Sequence, residues 1–151
     1  MPEEKPEKYY LNEEPVDALV VYCSDPRFQK AFRHFLKNEL GIKNPAPLSL
    51  GGSIHPFGQR AEFMENFQML RQQIKFFLEE GKISRVVIIN HDDCQWYKKF
   101  KGEISSAAIQ QKMIRDLLSA AEYITDNFSV KVETYFARLN GKEIIFEEVI
   151  E

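Results

Sequence analysis

The sequence predicts a three-layer α/β domain with a mostly parallel central sheet. Residues 84–94 hold a continuous apolar run, rich in valine and isoleucine, between two long patterns of helical spacing. Such a run is typical of a strand that is buried on both faces of a parallel sheet. Strand and helix patterns also alternate along most of the chain, which favours the same architecture.

The elements are predicted from hydrophobic spacing and from the residues that interrupt it. In chain order they are a strand over 16–22, a helix over 28–40, a short strand over 45–50, a tight loop at 51–52, a helix over 63–78, the strand within 84–94, a polar loop over 95–103, a helix over 109–128, and strands over 130–139 and 142–150. Gly41 and Gly81 end the first two helices. Asn140-Gly141 is a two-residue hairpin signal, so the last strand is expected to be an antiparallel edge.

The predicted strand order is 2-1-3-4, followed by the antiparallel C-terminal edge strand. Right-handed crossovers allow strand 2 on one side of strand 1 and strand 3 on the other. The carboxyl ends of strands 1 and 3 then flank a crevice of the kind in which α/β sheets bind ligands. Cys23 ends strand 1, while His91 and Cys94 end strand 3. We therefore expect these three residues to converge.

Length and composition predict one domain and exclude some partners. The chain has 151 residues, and we interpret residues 1–15 as a charged N-terminal arm and residues 16–151 as a single domain. The net charge of −3 gives no indication of nucleic acid or of an anionic membrane surface as a partner. Because neither a membrane span nor a signal peptide is evident, we expect a cytoplasmic protein whose two cysteines are reduced.

Two thiol groups and one imidazole in a reducing compartment indicate a zinc site. Zinc takes thiolate and imidazole ligands in tetrahedral geometry, and three protein ligands leave a fourth position for water or another residue. Asp25 lies two residues after Cys23, so it is a candidate either for that fourth ligand or for a hydrogen bond to metal-bound water. Arg27 is placed to pair with the Asp25 carboxylate and orient it. Both alternatives stay open at this point.

Two motifs resemble the zinc-binding motifs of the β-class carbonic anhydrases. They are Cys-Ser-Asp-Pro-Arg at 23–27 and His-Asp-Asp-Cys at 91–94, each at the end of a predicted strand. The resemblance implies Zn²⁺ held by Cys23, His91 and Cys94, with Asp25 and Arg27 as the catalytic dyad. It also implies reversible hydration of CO₂ to bicarbonate, and a homodimer or a higher homo-oligomer.

This sequence departs from the family pattern beside the motifs. Gln95 and Trp96 stand where the family usually has two glycines after the second cysteine, so Trp96 is expected to fill the small apolar pocket for CO₂. Residues 50–53 keep the glycine of the family's Arg-Asn-Ala-Gly stretch but lack its arginine and asparagine. His55 is a candidate proton carrier, although the more ordinary interpretation is a solvated loop side chain.

Two other function classes are compatible with the same residues. One is a non-catalytic zinc domain in which Asp25 completes the coordination and Trp96 closes the pocket. The other is a thiol enzyme with Cys23 or Cys94 as nucleophile and His91 as base. The thiol enzyme fits less well, because the spacing from Cys23 to Arg27 is shorter than that of a phosphate-binding Cys-x5-Arg loop.

Overall fold

A computed structural model describes residues 8–102 and 104–150. The described elements are β1 (Ala18–Cys23), α1 (Gln29–Asn38), β2 (Pro45–Leu50), α2 (His55–Gly58), α3 (Met64–Glu79), β3 (Arg85–His91), α4 (Gln95–Lys101), α5 (Ser106–Asn127), β4 (Lys131–Asn140) and β5 (Glu143–Glu148). The predicted alternation of strands and helices is confirmed, with boundaries that shift by a few residues.

The five strands form one sheet in the order β2-β1-β3-β4-β5. All neighbouring strands are parallel except β4 and β5, which are antiparallel. The predicted order and the antiparallel edge strand are therefore confirmed. The turn between β4 and β5 contains Gly141 with a φ of +62°, a conformation that glycine adopts without steric cost.

Side chains of successive strand residues pack into two separate cores. Val86 and Ile88 of β3 belong to the core on the side of α3 and α5, whereas Val87 and Ile89 belong to the core on the side of α1. This alternation follows from the two-residue period of a strand. Because helices cover both faces, the apolar run of β3 is buried throughout, which is the predicted three-layer arrangement.

The prediction of a polar loop over residues 95–103 is wrong, because residues Gln95–Lys101 form the helix α4. Tyr97 on this helix is fully buried, and Trp96 packs against the same core. The sequence pattern did not indicate this apolar face, because Lys98 and Lys99 separate Tyr97 from Phe100. Gly102, with a φ of +66°, ends the helix, and residue 103 lies outside the described residues.

The interpretation of His55 as a solvated loop side chain is wrong. His55 is fully buried and begins the short helix α2. Pro56 follows it at a position where proline favours a helix start, and Phe57 anchors the turn in the core. A Cβ atom on Gly58 would lie 1.7 Å from Oδ1 of Asp116, so the glycine lets α2 lie directly against α5.

Residues 8–17 precede β1 as an exposed segment without helix or strand. The Asn44 side chain donates to the backbone oxygens of Glu14 and Pro15, and the Asp17 carboxylate accepts from the backbone nitrogen atoms of Lys43 and Asn44. Residues 1–7 of the predicted arm lie outside the described residues, so the boundary at residue 15 stays a prediction. Among the described helices, none is long and apolar enough to cross a membrane.

Candidate metal centre

The structure brings Cys23, His91 and Cys94 together at the carboxyl edge of the sheet. One ligand atom from each residue lies within 4.8 Å of the other two. The two Sγ atoms are 3.9 Å apart, and all three residues are buried. The cause is the parallel pairing of β1 with β3, which ends both strands at the same edge. Residues separated by about 70 positions thereby form one cluster of atoms that could hold a metal ion.

One nitrogen of the His91 ring is oriented for a metal. The other nitrogen, Nδ1, lies 2.6 Å from the backbone oxygen of Asp92. Because a carbonyl oxygen accepts hydrogen bonds, Nδ1 carries the proton and Nε2 presents its lone pair. Nε2 is buried and has no hydrogen-bond partner among the described residues. A buried polar atom without a partner is costly, and a cation at this position would remove that cost.

The turn after β3 holds the Asp92 carbonyl in place. The backbone nitrogen of Asp92 donates to the oxygen of Ala137 at 2.9 Å, and its carboxylate accepts from the nitrogen of Leu139 at 2.8 Å. The ring of Phe28 lies 4.1 Å from the His91 ring on the other side. The imidazole is thus fixed in orientation by β4 and by the residue that precedes α1.

The two thiol groups form a coupled pair that suits a divalent cation. The hydrogen bond with Cys94 lowers the pKa of Cys23, although burial opposes this effect. The same hydrogen bond and burial raise the pKa of Cys94. Two thiolates this close repel each other in a buried site unless a cation lies beside them. Two sulfurs and one neutral imidazole nitrogen are a donor set that Zn²⁺ prefers, so the residues fit the expected metal.

Asp25 and Arg27 form the two-pronged pair that the sequence suggested. Arg27 Nη2 donates to Asp25 Oδ2 at 2.7 Å, and Arg27 Nε donates to Oδ1 at 3.1 Å. This hydrogen bonding by Arg27 lowers the pKa of the Asp25 carboxyl, so it is charged at neutral pH. Asp25 Oδ2 is also 4.0 Å from His91 Nε2. The carboxylate therefore contacts the guanidinium and lies close to the cluster of Cys23, His91 and Cys94.

Arg27 has a second acidic partner that sequence reasoning did not assign to it. Arg27 Nη1 donates to Asp93 Oδ2 at 2.9 Å, and Nη2 donates to the backbone oxygen of Asp93 at 3.0 Å. Asp93 in turn forms an ion pair with Lys98 on α4. The hydrogen bond with Lys98, and then the one with Arg27, lower the pKa of Asp93. In the sequence, only the position of Asp93 between His91 and Cys94 indicated a role at the site. The contact with Lys98 depends on the helix α4, which was not predicted.

A cleft of about 530 Å³ opens beside the cluster. Its lining includes Cys23, Asp25, Arg27, Gly51, Cys94, Trp96 and Lys99. The indole of Trp96 lies over Gly51 and Gly52, and a Cβ atom on Gly52 would lie 2.3 Å from the Trp96 ring. Trp96 Nε1 also donates to Nδ1 of the buried His55 at 3.2 Å. Trp96 is thus a fixed wall of the cleft.

Comparison with solved structures relates this fold to a known group. The β-carbonic anhydrase CafA of Aspergillus fumigatus matches with a TM-score of 0.59 and 13% identity over 91% of this chain and 78% of its own. The β-carbonic anhydrase isoform I of Trichomonas vaginalis matches with a TM-score of 0.58 and 15% identity, over 97% and 89% respectively. The chain has the β-carbonic anhydrase fold.

A third similar structure has an oligomeric state in its description, and the sequence comparisons found no relative. The structures of two tetrameric β-carbonic anhydrases of Sordaria macrospora include a chain that matches with a TM-score of 0.51 and 11% identity, over 90% of this chain and 81% of that one. No protein-family model matches the sequence, and no curated protein matches it either. At these identities the likeness concerns the fold.

On the β-carbonic anhydrase fold, the two departures noted in the sequence turn out to be one feature. Trp96 forms one side of the cleft, and Gly51 and Gly52 lie directly beneath its ring. Gly52 has a φ of +80° and leaves no room for a side chain. The indole therefore fits at this position only because the two residues that face it are glycines.

Proposed function

We propose that this protein is a zinc-dependent carbonic anhydrase that interconverts CO₂ and bicarbonate. In this proposal Cys23, His91 and Cys94 hold Zn²⁺. The main support is that their three ligand atoms lie within 4.8 Å of one another, with His91 Nε2 buried and unpartnered among the described residues. The β-carbonic anhydrase fold supports the choice of reaction.

The residues around the cluster have distinct tasks in the proposed reaction. When bound, Zn²⁺ lowers the pKa of water and so supplies hydroxide near neutral pH. Asp25, kept charged and oriented by Arg27, accepts a hydrogen bond from the reacting water. Lys99 lines the cleft, and its positive charge favours the bicarbonate anion as it forms there. The indole of Trp96 limits the space available to CO₂.

The same proposal covers assembly and location. We propose a homodimer or a higher homo-oligomer in the cytoplasm, with neither nucleic acid nor membrane as a partner. The Sordaria macrospora enzymes on the same fold are tetrameric. Cys23 and Cys94 must both stay reduced to bind a metal, and the cytoplasm keeps thiols reduced. Light scattering of the purified protein at micromolar concentration measures its molar mass in solution, and the mass of a monomer would contradict the proposed oligomer.

The deciding experiment combines metal analysis with CO₂ hydration. We expect one Zn²⁺ per chain, and hydration measured by stopped flow that is lost with a chelator and regained with Zn²⁺. Two thiolates donate more charge to the metal than imidazoles do, so water bound to this metal should be less acidic than in a site of three histidines. The hydration rate should therefore rise toward alkaline pH. Zinc-loaded protein that hydrates CO₂ no faster than buffer contradicts the proposal.

A non-catalytic zinc domain is the second candidate. It is favoured by the 4.0 Å distance between Asp25 Oδ2 and His91 Nε2, because a carboxylate so close to the cluster is placed to complete the coordination. It is also favoured by Trp96, which narrows the cleft. Stoichiometric zinc without hydration, at every pH between about 6 and 9 around the titration of zinc-bound water, identifies this candidate. Absence of zinc together with rapid alkylation of a thiol identifies the thiol enzyme instead.

A further inference from the structure

Arg27 joins two carboxylates that lie on different segments of the chain. Its Nε and Nη2 atoms donate to Asp25, which follows β1. Its Nη1 and Nη2 atoms donate to the side chain and the backbone of Asp93, in the turn after β3. Since the Arg27 side chain is 50% exposed, its position is set by these two acidic residues more than by packing.

The Asp25 carboxylate is held at the border of the ligand cluster. Its Oδ2 atom is 4.0 Å from Nε2 of His91 and 2.7 Å from Arg27 Nη2. A cation held by the cluster would attract this carboxylate, whereas Arg27 binds it through two charged hydrogen bonds. Whether Asp25 reaches the metal is therefore a competition between the cation and the guanidinium.

Asp93 is well suited to fix the guanidinium in this competition. It lies between the ligands His91 and Cys94 in sequence, so it ties Arg27 to the turn that presents both of them. Its backbone has a φ of +58°, which aspartate tolerates better than most residues, and its carboxylate and its carbonyl oxygen both accept hydrogen bonds from Arg27. Lys98 holds the other carboxylate oxygen of Asp93 from α4.

We propose that Asp93 is a positioning residue that keeps the metal site open. By holding Arg27, Asp93 retains the Asp25 carboxylate on the guanidinium and leaves the fourth coordination position to an exogenous ligand. Without the Asp93 side chain, Arg27 loses one of its two anchors, and Asp25 moves onto the metal more easily. This inference rests on metal binding as set out under the proposed function, but it does not require that CO₂ is the substrate.

Cobalt substitution with azide as the probe tests this role. Co²⁺ bound by two thiolates absorbs visible light, and its spectrum changes when azide takes the fourth position. Azide affinity is measured in four Co²⁺-loaded proteins: wild type, Asp93→Gly, Asp25→Asn, and the variant with both substitutions. Glycine removes the Asp93 side chain, tolerates the positive φ and keeps the backbone carbonyl that also contacts Arg27.

We expect Asp93→Gly to bind Co²⁺ stoichiometrically and azide about fivefold more weakly than wild type, the effect of a partly exposed charged hydrogen bond of about 1 kcal/mol. In the Asp25→Asn background, adding Asp93→Gly should change azide affinity by less than about twofold, because no carboxylate is left to compete. Asp93→Asn, which keeps a neutral acceptor for Arg27, should fall between wild type and Asp93→Gly.

Two results would overturn the inference. One is equal azide affinity in wild type and Asp93→Gly. The other is an equal loss of affinity with and without the Asp25 carboxylate, which would assign Asp93 a purely structural role in the turn. Both differ from failure of the proposed function, in which wild-type protein takes up no Co²⁺ or Zn²⁺, or binds zinc and azide normally but hydrates no CO₂.

Discussion

Two arginine–carboxylate pairs lie at opposite edges of the sheet. At the carboxyl edge Arg27 binds Asp25 and Asp93, as described above. At the amino edge Arg85, the first residue of β3, binds Glu133 of β4 through Nε at 2.6 Å and Nη2 at 3.1 Å. Arg85 also donates to the backbone oxygen of Leu40 at 3.2 Å. The chemistry of the two pairs is the same.

The surroundings of the two pairs differ. Arg85 is the more buried arginine, with 29% of its side chain exposed, and it ties β3 to β4 and to the segment after α1. The candidate metal-binding cluster found among the described residues lies at the other edge, so we expect the Arg85 pair to contribute to stability. The Arg27 pair lies beside His91 Nε2, which has no hydrogen-bond partner within residues 8–102 and 104–150. The difference teaches that the groups lying next to an ion pair make it a functional candidate, and that the geometry of the pair alone does not.

The largest effect is expected from removing the ring that the Arg27 pair faces. His91→Ala should weaken zinc binding by at least about 100-fold, because two thiolates remain from a three-residue ligand set. Competition with a chromogenic chelator measures the affinity. His34→Ala, on the exposed face of α1, is the matched control and should bind zinc as wild type does. Retention of wild-type zinc affinity in His91→Ala contradicts the proposed ligand set.

The next effect should separate the two arginines directly. Arg27→Ala should lower kcat for CO₂ hydration about 100-fold, because it releases the carboxylate that orients the reacting water. Its free energy of unfolding should change by less than about 1 kcal/mol, since the arginine is half exposed. Stopped-flow rates and urea unfolding of the same preparation give both numbers. An Arg85→Ala variant with an equal loss of kcat would refute the division of roles.

The fold was predictable from sequence because its signals are local and redundant. The apolar run of β3, the helical spacing in α3 and α5, and Asn140-Gly141 each fix one element. Handedness of the crossovers then leaves few strand orders, and the observed one is among them. The helix α4 was missed because its stability comes from the burial of Tyr97 in the core, which a lysine-rich sequence does not reveal.

The candidate site was predictable in part, for the same physical reason. Strand ends in a parallel sheet converge, so the cluster of Cys23, His91 and Cys94 followed from topology. The contacts of Asp93 with Arg27, and of Trp96 with His55, depend on where side chains of separate elements meet. The spacing of residues in the sequence does not predict such contacts between side chains of separate elements.

A smaller effect is expected from the stabilising pair. Glu133→Gln should lower the free energy of unfolding by about 1 kcal/mol at pH 7, because a charged hydrogen bond to Arg85 becomes a neutral one. Arg85 lowers the pKa of Glu133 in the folded state, so this stabilisation is fully present above the unfolded value of about 4.3. It is lost as the pH falls through the lowered folded pKa.

Urea unfolding of wild type and Glu133→Gln between about pH 3 and pH 7, a range that spans the carboxyl titration, measures this loss. The difference between the two proteins should be constant near neutrality and shrink below about pH 4.3. CO₂ hydration should be the same in both. A difference that grows as the pH falls would mean that Glu133 stabilises the fold in its protonated form, and that the two pairs are not chemically alike.

The smallest effect concerns space and not charge at the carboxyl edge. Trp96→Gly removes the wall of the cleft, whereas the contacts of Arg27 with Asp25 and Asp93 do not involve the indole. If the indole obstructs CO₂, kcat/KM should rise about threefold, the gain from roughly 0.7 kcal/mol of relieved crowding. Phe100→Ala is the matched control, because the Phe100 ring contacts the Trp96 ring with their centroids 4.6 Å apart but does not line the cleft. An unchanged rate in Trp96→Gly, together with full zinc occupancy, would mean that the charged groups of this edge limit the reaction and that the size of the cleft does not.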